Sequence, residues 1–230
     1  MSAATERSPL TGWQTFGLYF AMVMVISALT LTTPAVIANS TTVPTTLAWA
    51  SPWAGIVLVL VLLTWWVARH TGTGVRDGYG IAPRWACSHR RLVRTEHALD
   101  AAILGALALA VFLGVHGFSW VMGPTPEGWW PTVVFTQTAT AVVSELVLLG
   151  ALTAVVFTLN MSGQTFVLVS MASRIVIAEP HWSALVAAGV GGAAIAVLYL
   201  RFRRLTPILI GHATAIVALT LADAWVSSLL

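Results

Sequence analysis

Three residues in this sequence carry side chains that could do chemistry together: Glu145, His181 and His212. They are sparse polar residues on three separate apolar segments. One carboxylate and two imidazoles make a general acid/base set, and the same three types can bind a metal ion; their spacing does not choose between the two. Glu145 stands in Ala-Val-Val-Ser-Glu-Leu-Val-Leu-Leu-Gly, with no basic residue within a turn on either side. An ionisable group at the centre of a membrane helix costs at least about 2.5–3.5 kcal/mol. Glu145 therefore needs a partner from another helix, or a proton, and packing and function are both open as its reason for being there. His181 follows Ala178-Glu179-Pro180 at a junction and by itself reads as interfacial. His212 lies in Pro207-Ile-Leu-Ile-Gly-His, where Gly211 permits a close helix approach. Arg174 can pair with Glu179, Glu145 or a lipid phosphate, and Asp223 belongs near an interface. Cys87 lies in a basic loop with no base assigned to it, and one cysteine excludes an intrachain disulfide.

The elements that must position these residues are membrane helices. The 230-residue chain is 58% hydrophobic and 8% charged, against about 25% charged in soluble domains. Seven apolar spans are expected: Trp13–Ile37, Ala48–Val67, Ala98–Val115, Thr132–Leu159, Gln164–Ala178, Ser183–Leu200 and Thr206–Leu221. A straight crossing needs about 20 residues. The first and fourth spans exceed that and should tilt or bend, the first at Pro34, while the fifth is short. Without water to bond the backbone, these spans must be helices. The expected fold is an all-α membrane protein, a polytopic bundle of about seven transmembrane helices, forming a single transmembrane domain over residues 1–230. The first span is too long for the apolar core of a cleaved signal and is read as retained.

Every one of the 11 basic residues is Arg, and their placement gives the orientation. Arg69, Arg76, Arg84, Arg90, Arg91 and Arg94 fall between spans two and three, Arg201, Arg203 and Arg204 between spans six and seven, and Arg7 before span one. Seven crossings put these ten on one side, the cytoplasmic side by the positive-inside rule. The N-terminus is expected inside, the C-terminus outside, and the membrane to be a bacterial plasma membrane. The loop Arg69–His97 carries His70, His89, His97 and Cys87 without any zinc-ligand spacing; it reads as a basic loop on anionic lipid heads. No metal and no cofactor is expected, and no nucleic-acid partner, since the chain offers no soluble head to hold one.

The order of motifs in Ser144–His212 resembles the CAAX-processing and bacteriocin-processing family of intramembrane glutamic proteases. That family's pattern places Glu-Glu-x-x-x-Arg-Gly on one helix, Phe-x-x-x-His on the next, and then apolar-Tyr-Leu-Arg followed by Pro-Ile-x-x-x-His-x-x-x-Asn. This chain has Ser144-Glu145-Leu-Val-Leu-Leu149-Gly150, then Ile177-Ala-Glu-Pro-His181, then Leu198-Tyr199-Leu200-Arg201 and Pro207-Ile208-Leu209-Ile210-Gly211-His212-Ala-Thr-Ala-Ile216. The family-like core covers residues 132–221. It departs from the pattern at Ser144, Leu149, Ile177 and Ile216.

The resemblance implies an intramembrane, metal-independent endopeptidase that acts on a peptide or a prenylated protein. Glu145, His181 and His212 are its expected catalytic residues, with Glu145 as the base in place of the family's first carboxylate or Glu179 substituting for it. Loss of one oxyanion donor, as at Ile216, costs about 10²–10³ in rate. Two alternatives stand beside this reading. One is a catalytically inactive member serving membrane binding, protection or regulation. The other is an acid/base enzyme on a lipid-like substrate with Glu145 as proton donor. The catalytic readings require one depth for all three residues. The span boundaries put His181 at the outer end of span five, and His212 about 9 Å from the inner end of span seven at 1.5 Å per residue.

Overall fold

The computed structural model describes residues 10–39, 42–71, 92–122, 130–178 and 180–227. All of their regular structure is helical. In chain order the helices are α1 Gly12–Asn39, α2 Val43–His70, α3 Leu92–Met122, α4 Trp130–Glu145, a π-helical turn Leu146–Ala151 that continues into α5 Leu152–Thr158, then α6 Gly163–Ile177, α7 Trp182–Phe202 and α8 Thr206–Ser227. Six helical stretches are long and apolar enough to cross a bilayer, with α4, the π turn and α5 counting as one. The seventh, α6, has 15 residues and spans about 22 Å, the short fifth span that the sequence called for. The chain is an integral membrane protein, and its outer faces suit hydrocarbon: Leu58, Val59 and Leu62 on α2 and Val190 and Val197 on α7 are all exposed.

Local sequence sets the ends of the elements. Thr42 caps α2 with a reciprocal Thr42–Thr45 box, and Ser162 Oγ accepts from Thr165 N at 3.2 Å to start α6. Asn160 and Arg203 take left-handed backbone conformations (φ 50° and 52°) in the turns after α5 and α7. Arg203 N–H donates to the Tyr199 carbonyl at 2.7 Å, and the basic side chains there suit the negative end of α7. Helix α1 runs on through Pro34.

Six of the helices form a ring, each packed on the next in the order α1, α4, α8, α3, α7, α6 and back to α1. Helix α2 lies outside it, against α1, α4 and the π turn. Helices α3 and α8 run parallel and close. A Cβ on Gly211 would stand 2.9 Å from the Leu109 nitrogen and 3.0 Å from the Gly105 carbonyl oxygen, so only glycine permits the approach. The core lies around the π turn, where Leu148, Leu149, Ala151 and Leu152 are fully buried.

The residues of the Arg69–His97 loop beyond Thr71 and before Leu92, including Cys87 and His89, lie outside the described residues, as do Arg7, Glu127 and Glu179. His70 closes α2, with its Nδ1 at 2.9 Å from the Trp66 carbonyl.

Candidate active site

Glu145 is the last residue of α4 before the π turn, about 22 Å along the axis from the start of that helix. Leu152 N–H reaches back to the Val147 carbonyl, the wide spacing of a π turn. Such turns insert an extra residue into a helix and concentrate at functional sites. The Glu145 side chain is 0% exposed, and its partners come from two other helices. Arg174, in the last turn of α6, donates Nη1–H to Oε1 at 2.7 Å and Nη2–H to Oε2 at 2.6 Å. His212 of α8 donates Nδ1–H to Oε1 at 3.0 Å. This parallel fork is the geometry for which a guanidinium is suited, and it is why a carboxylate is tolerated at this depth.

The chain of contacts runs one residue further. His212 Nε2 lies 2.7 Å from Nε2 of His116, on α3. Phe112, one turn earlier on α3, stacks on the His212 ring at 3.7 Å between centroids and 7° between planes. Room for these groups comes from glycines: a Cβ on Gly192 would strike Arg174 Cδ, and one on Gly191 would strike Val115.

Arg174, His212, His116 and Phe112 form the floor of a cavity of about 680 Å³. Its walls come from all six ring helices, and from the same half of each crossing: α1 from Thr30 on, α3 from Phe112, the α4–α5 crossing up to Ser144, α6 from Arg174, α7 up to Gly192 and α8 from His212. The cavity is thus a well in the half of the bundle where α1, α3, α6 and α8 finish. Ala184, Ala187 and Ala188 give α7 a smooth apolar wall, while Gln137, Thr140 and Ser144 place polar groups on the α4 side.

Of the three residues singled out in the sequence, the structure brings two together. Glu145 and His212 are in contact; His181 is not with them. It precedes α7, with Nδ1 at 2.8 Å from Ser183 Oγ in its own turn, and it is not among the side chains that line the well. His181 stands immediately before α7 and His212 lies within α8, the places expected from the sequence. Glu145 itself does not line the well, because Arg174 and His212 stand between. Among the described residues, no three His, Cys, Asp or Glu side chains gather as metal ligands.

Two members of the site did not stand out in the sequence. Arg174 was one of several partners open to Glu145. His116 fell one residue past the expected end of the third span at Val115, whereas α3 continues to Met122. A longer third span would have marked it as a second histidine within a span. Asp223 also lines the well. At the positions that depart from the resembled pattern, Ser144, Ile177 and Ile216 face the well, while Leu149 is buried in the core. Ser144 Oγ donates to the Ala141 carbonyl at 2.9 Å. No family model matches this chain, and neither a curated protein nor a solved structure does, so what the site can do is read from its own geometry.

Proposed function

We propose that the chain is an intramembrane, metal-independent peptidase, a divergent form of the CAAX/bacteriocin-processing type, in which the charge released as water is activated is held by an imidazole that Glu145 orients. One observation carries this reading: a carboxylate fixed on Nδ1 of His212 at 3.0 Å, behind the floor of a well of about 680 Å³ that His212 lines. Glu145 is not the group that meets water, since both of its oxygens are engaged. Its part is that of the buried carboxylate in a hydrolytic triad, holding one tautomer and stabilising the imidazolium that forms. Arg174 is a positioning residue that acts through Glu145.

In the reaction, water adds to the scissile carbonyl as its O–H bond breaks. The proton's charge comes to rest on His212, and the proton is returned to the leaving nitrogen as the C–N bond breaks. General acid/base help of this kind is worth about 10²–10⁴ in rate. The walls formed by Ala187, Ala188 and Leu219 favour an apolar substrate, so a membrane-borne peptide or prenylated tail fits better than a charged one. The Arg-rich connections favour a cytoplasmic position for the other end of the bundle, which would set the well in the outer half.

Ser144 and Ile216 favour a second reading. Both face the well where the resembled pattern has a carboxylate and an amide, so a well that binds without turnover is the alternative. The experiment is hydrolysis of quenched-fluorescent apolar peptides by the protein in liposomes. We expect turnover by the native chain and a loss of at least about 10² in His212→Gln. Thermal stabilisation by the same peptides with no cleavage would select the binding reading.

A further inference from the structure

We propose that His116, on α3, is the base that the well presents to substrate, and that His212 behind it stores the charge. This rests on the acid/base reading above and assigns the atoms within it. Glu145 can only accept from His212, so Nδ1 of His212 carries the ring's hydrogen. In the neutral ring its Nε2 is then a bare lone pair. The Nε2–Nε2 contact at 2.7 Å needs one hydrogen between two nitrogens, and that hydrogen belongs to His116. A neutral His116 that carries its hydrogen on Nε2 has a bare Nδ1. No described residue bonds that Nδ1, and His116 lines the well.

The transfer balances without any further reactant. Water gives a proton to Nδ1 of His116 as its oxygen bonds to the carbonyl carbon. The Nε2 proton of His116 passes to Nε2 of His212. The positive charge then lies on His212, next to the Glu145 carboxylate, while His116 is again neutral. The reverse passage returns a proton from His116 to the leaving nitrogen. The stacked Phe112 ring holds the plane of His212 for the exchange. In this scheme His212 meets His116 and Glu145, and the substrate meets His116.

The test uses the full chain, ¹⁵N-labelled at histidine, in lipid nanodiscs. Two-bond ring correlations should show His116 with hydrogen on Nε2 and a bare Nδ1, and His212 with hydrogen on Nδ1. Diethyl pyrocarbonate, which attacks bare imidazole nitrogens, should modify His116 before His212. In the peptide assay, His116→Gln keeps an N–H for His212 but cannot pass a proton, and should lose at least about 10² in turnover. A hydrogen on Nδ1 of His116, or His212 modified first, overturns the proposal. So does a His116→Gln protein that keeps turnover within threefold while His212→Gln loses it, an outcome that leaves the hydrolase reading standing. If the native chain cleaves nothing, the hydrolase reading falls, and the tautomer and modification results still decide which nitrogen the well presents.

Discussion

The seam between α3 and α8 and the turn between α6 and α7 each carry a histidine beside an aromatic residue, and they use them differently. In the seam, His212 is stacked on Phe112, tied to Glu145 and in contact with His116, at a depth where it is 5% exposed. In the turn, His181 meets Ser183 two residues away, and its ring centroid lies 6.2 Å from that of Trp182. A histidine bonded within its own turn costs nothing to place. One chained through three helices exists only because the helices pack so. The difference teaches that order along the chain does not build this site; the close approach of two parallel helices does.

The largest effect should come from breaking the ion pair beneath the seam. Glu145→Ala leaves the Arg174 guanidinium buried without its carboxylate, and loss of one partner of a buried pair costs about 3–5 kcal/mol. Replacing both, as Glu145→Leu with Arg174→Met, should restore most of that stability while leaving His212 without its orienting carboxylate. Unfolding in detergent micelles measures the first effect, and the peptide assay the second. A double variant that is stable and fully active would remove Glu145 from the chemistry.

Next comes the glycine that makes the seam. Gly211→Ala puts a Cβ at 2.9–3.0 Å from α3 backbone atoms, which backbone cannot yield without moving the helix. Overpacking of this kind costs about 1–3 kcal/mol and should carry His212 away from His116. Gly189→Ala on α7 is the matched control. Its Cβ would meet Ile175 Cδ1 at 3.6 Å, an ordinary contact, so its midpoint should stay within about 0.5 kcal/mol of the native one. Equal losses in the two variants would mean that the seam is no tighter than the α6–α7 contact.

Much of the fold was legible because hydrophobic length is a strong signal in a membrane. The six long spans, the short α6 and the special placement of Glu145 and Gly211 all follow from residue type and position. The partner of Glu145 was less legible: Arg174 is 29 residues away, on a separate helix whose rotation relative to α4 the sequence does not reveal. His116 was missed for a related reason. Apolar composition fades gradually at the end of α3, and the boundary drawn at Val115 excluded a residue one position further on. The π turn has no sequence mark either; Leu146–Ala151 reads as ordinary helix, and only packing shows where the extra residue went. His181 was grouped with the others as a sparse polar residue between apolar segments and then by the order of motifs, neither of which carries information on depth.

The smallest effect sharpens the comparison from its weak side. Ser183 is fully buried at the start of α7, and its hydroxyl oxygen lies 2.8 Å from His181 Nδ1. Ser183→Ala removes one hydrogen bond, for a net cost of about 0.5–1.5 kcal/mol, because His181 is half-buried and can exchange the lost partner for water. Its effect on turnover should be smaller still: the bond orients a ring that lies outside the well, and among the described residues no chain of hydrogen bonds leads from it to Glu145 or His212. Stability and peptide hydrolysis measured on one preparation separate the two quantities. A loss of turnover near that of His212→Gln, with stability little changed, would place the α6–α7 turn in the reaction after all. The contrast between the two histidines would then be one of the resting state alone, with the turn closing over the well when substrate is bound.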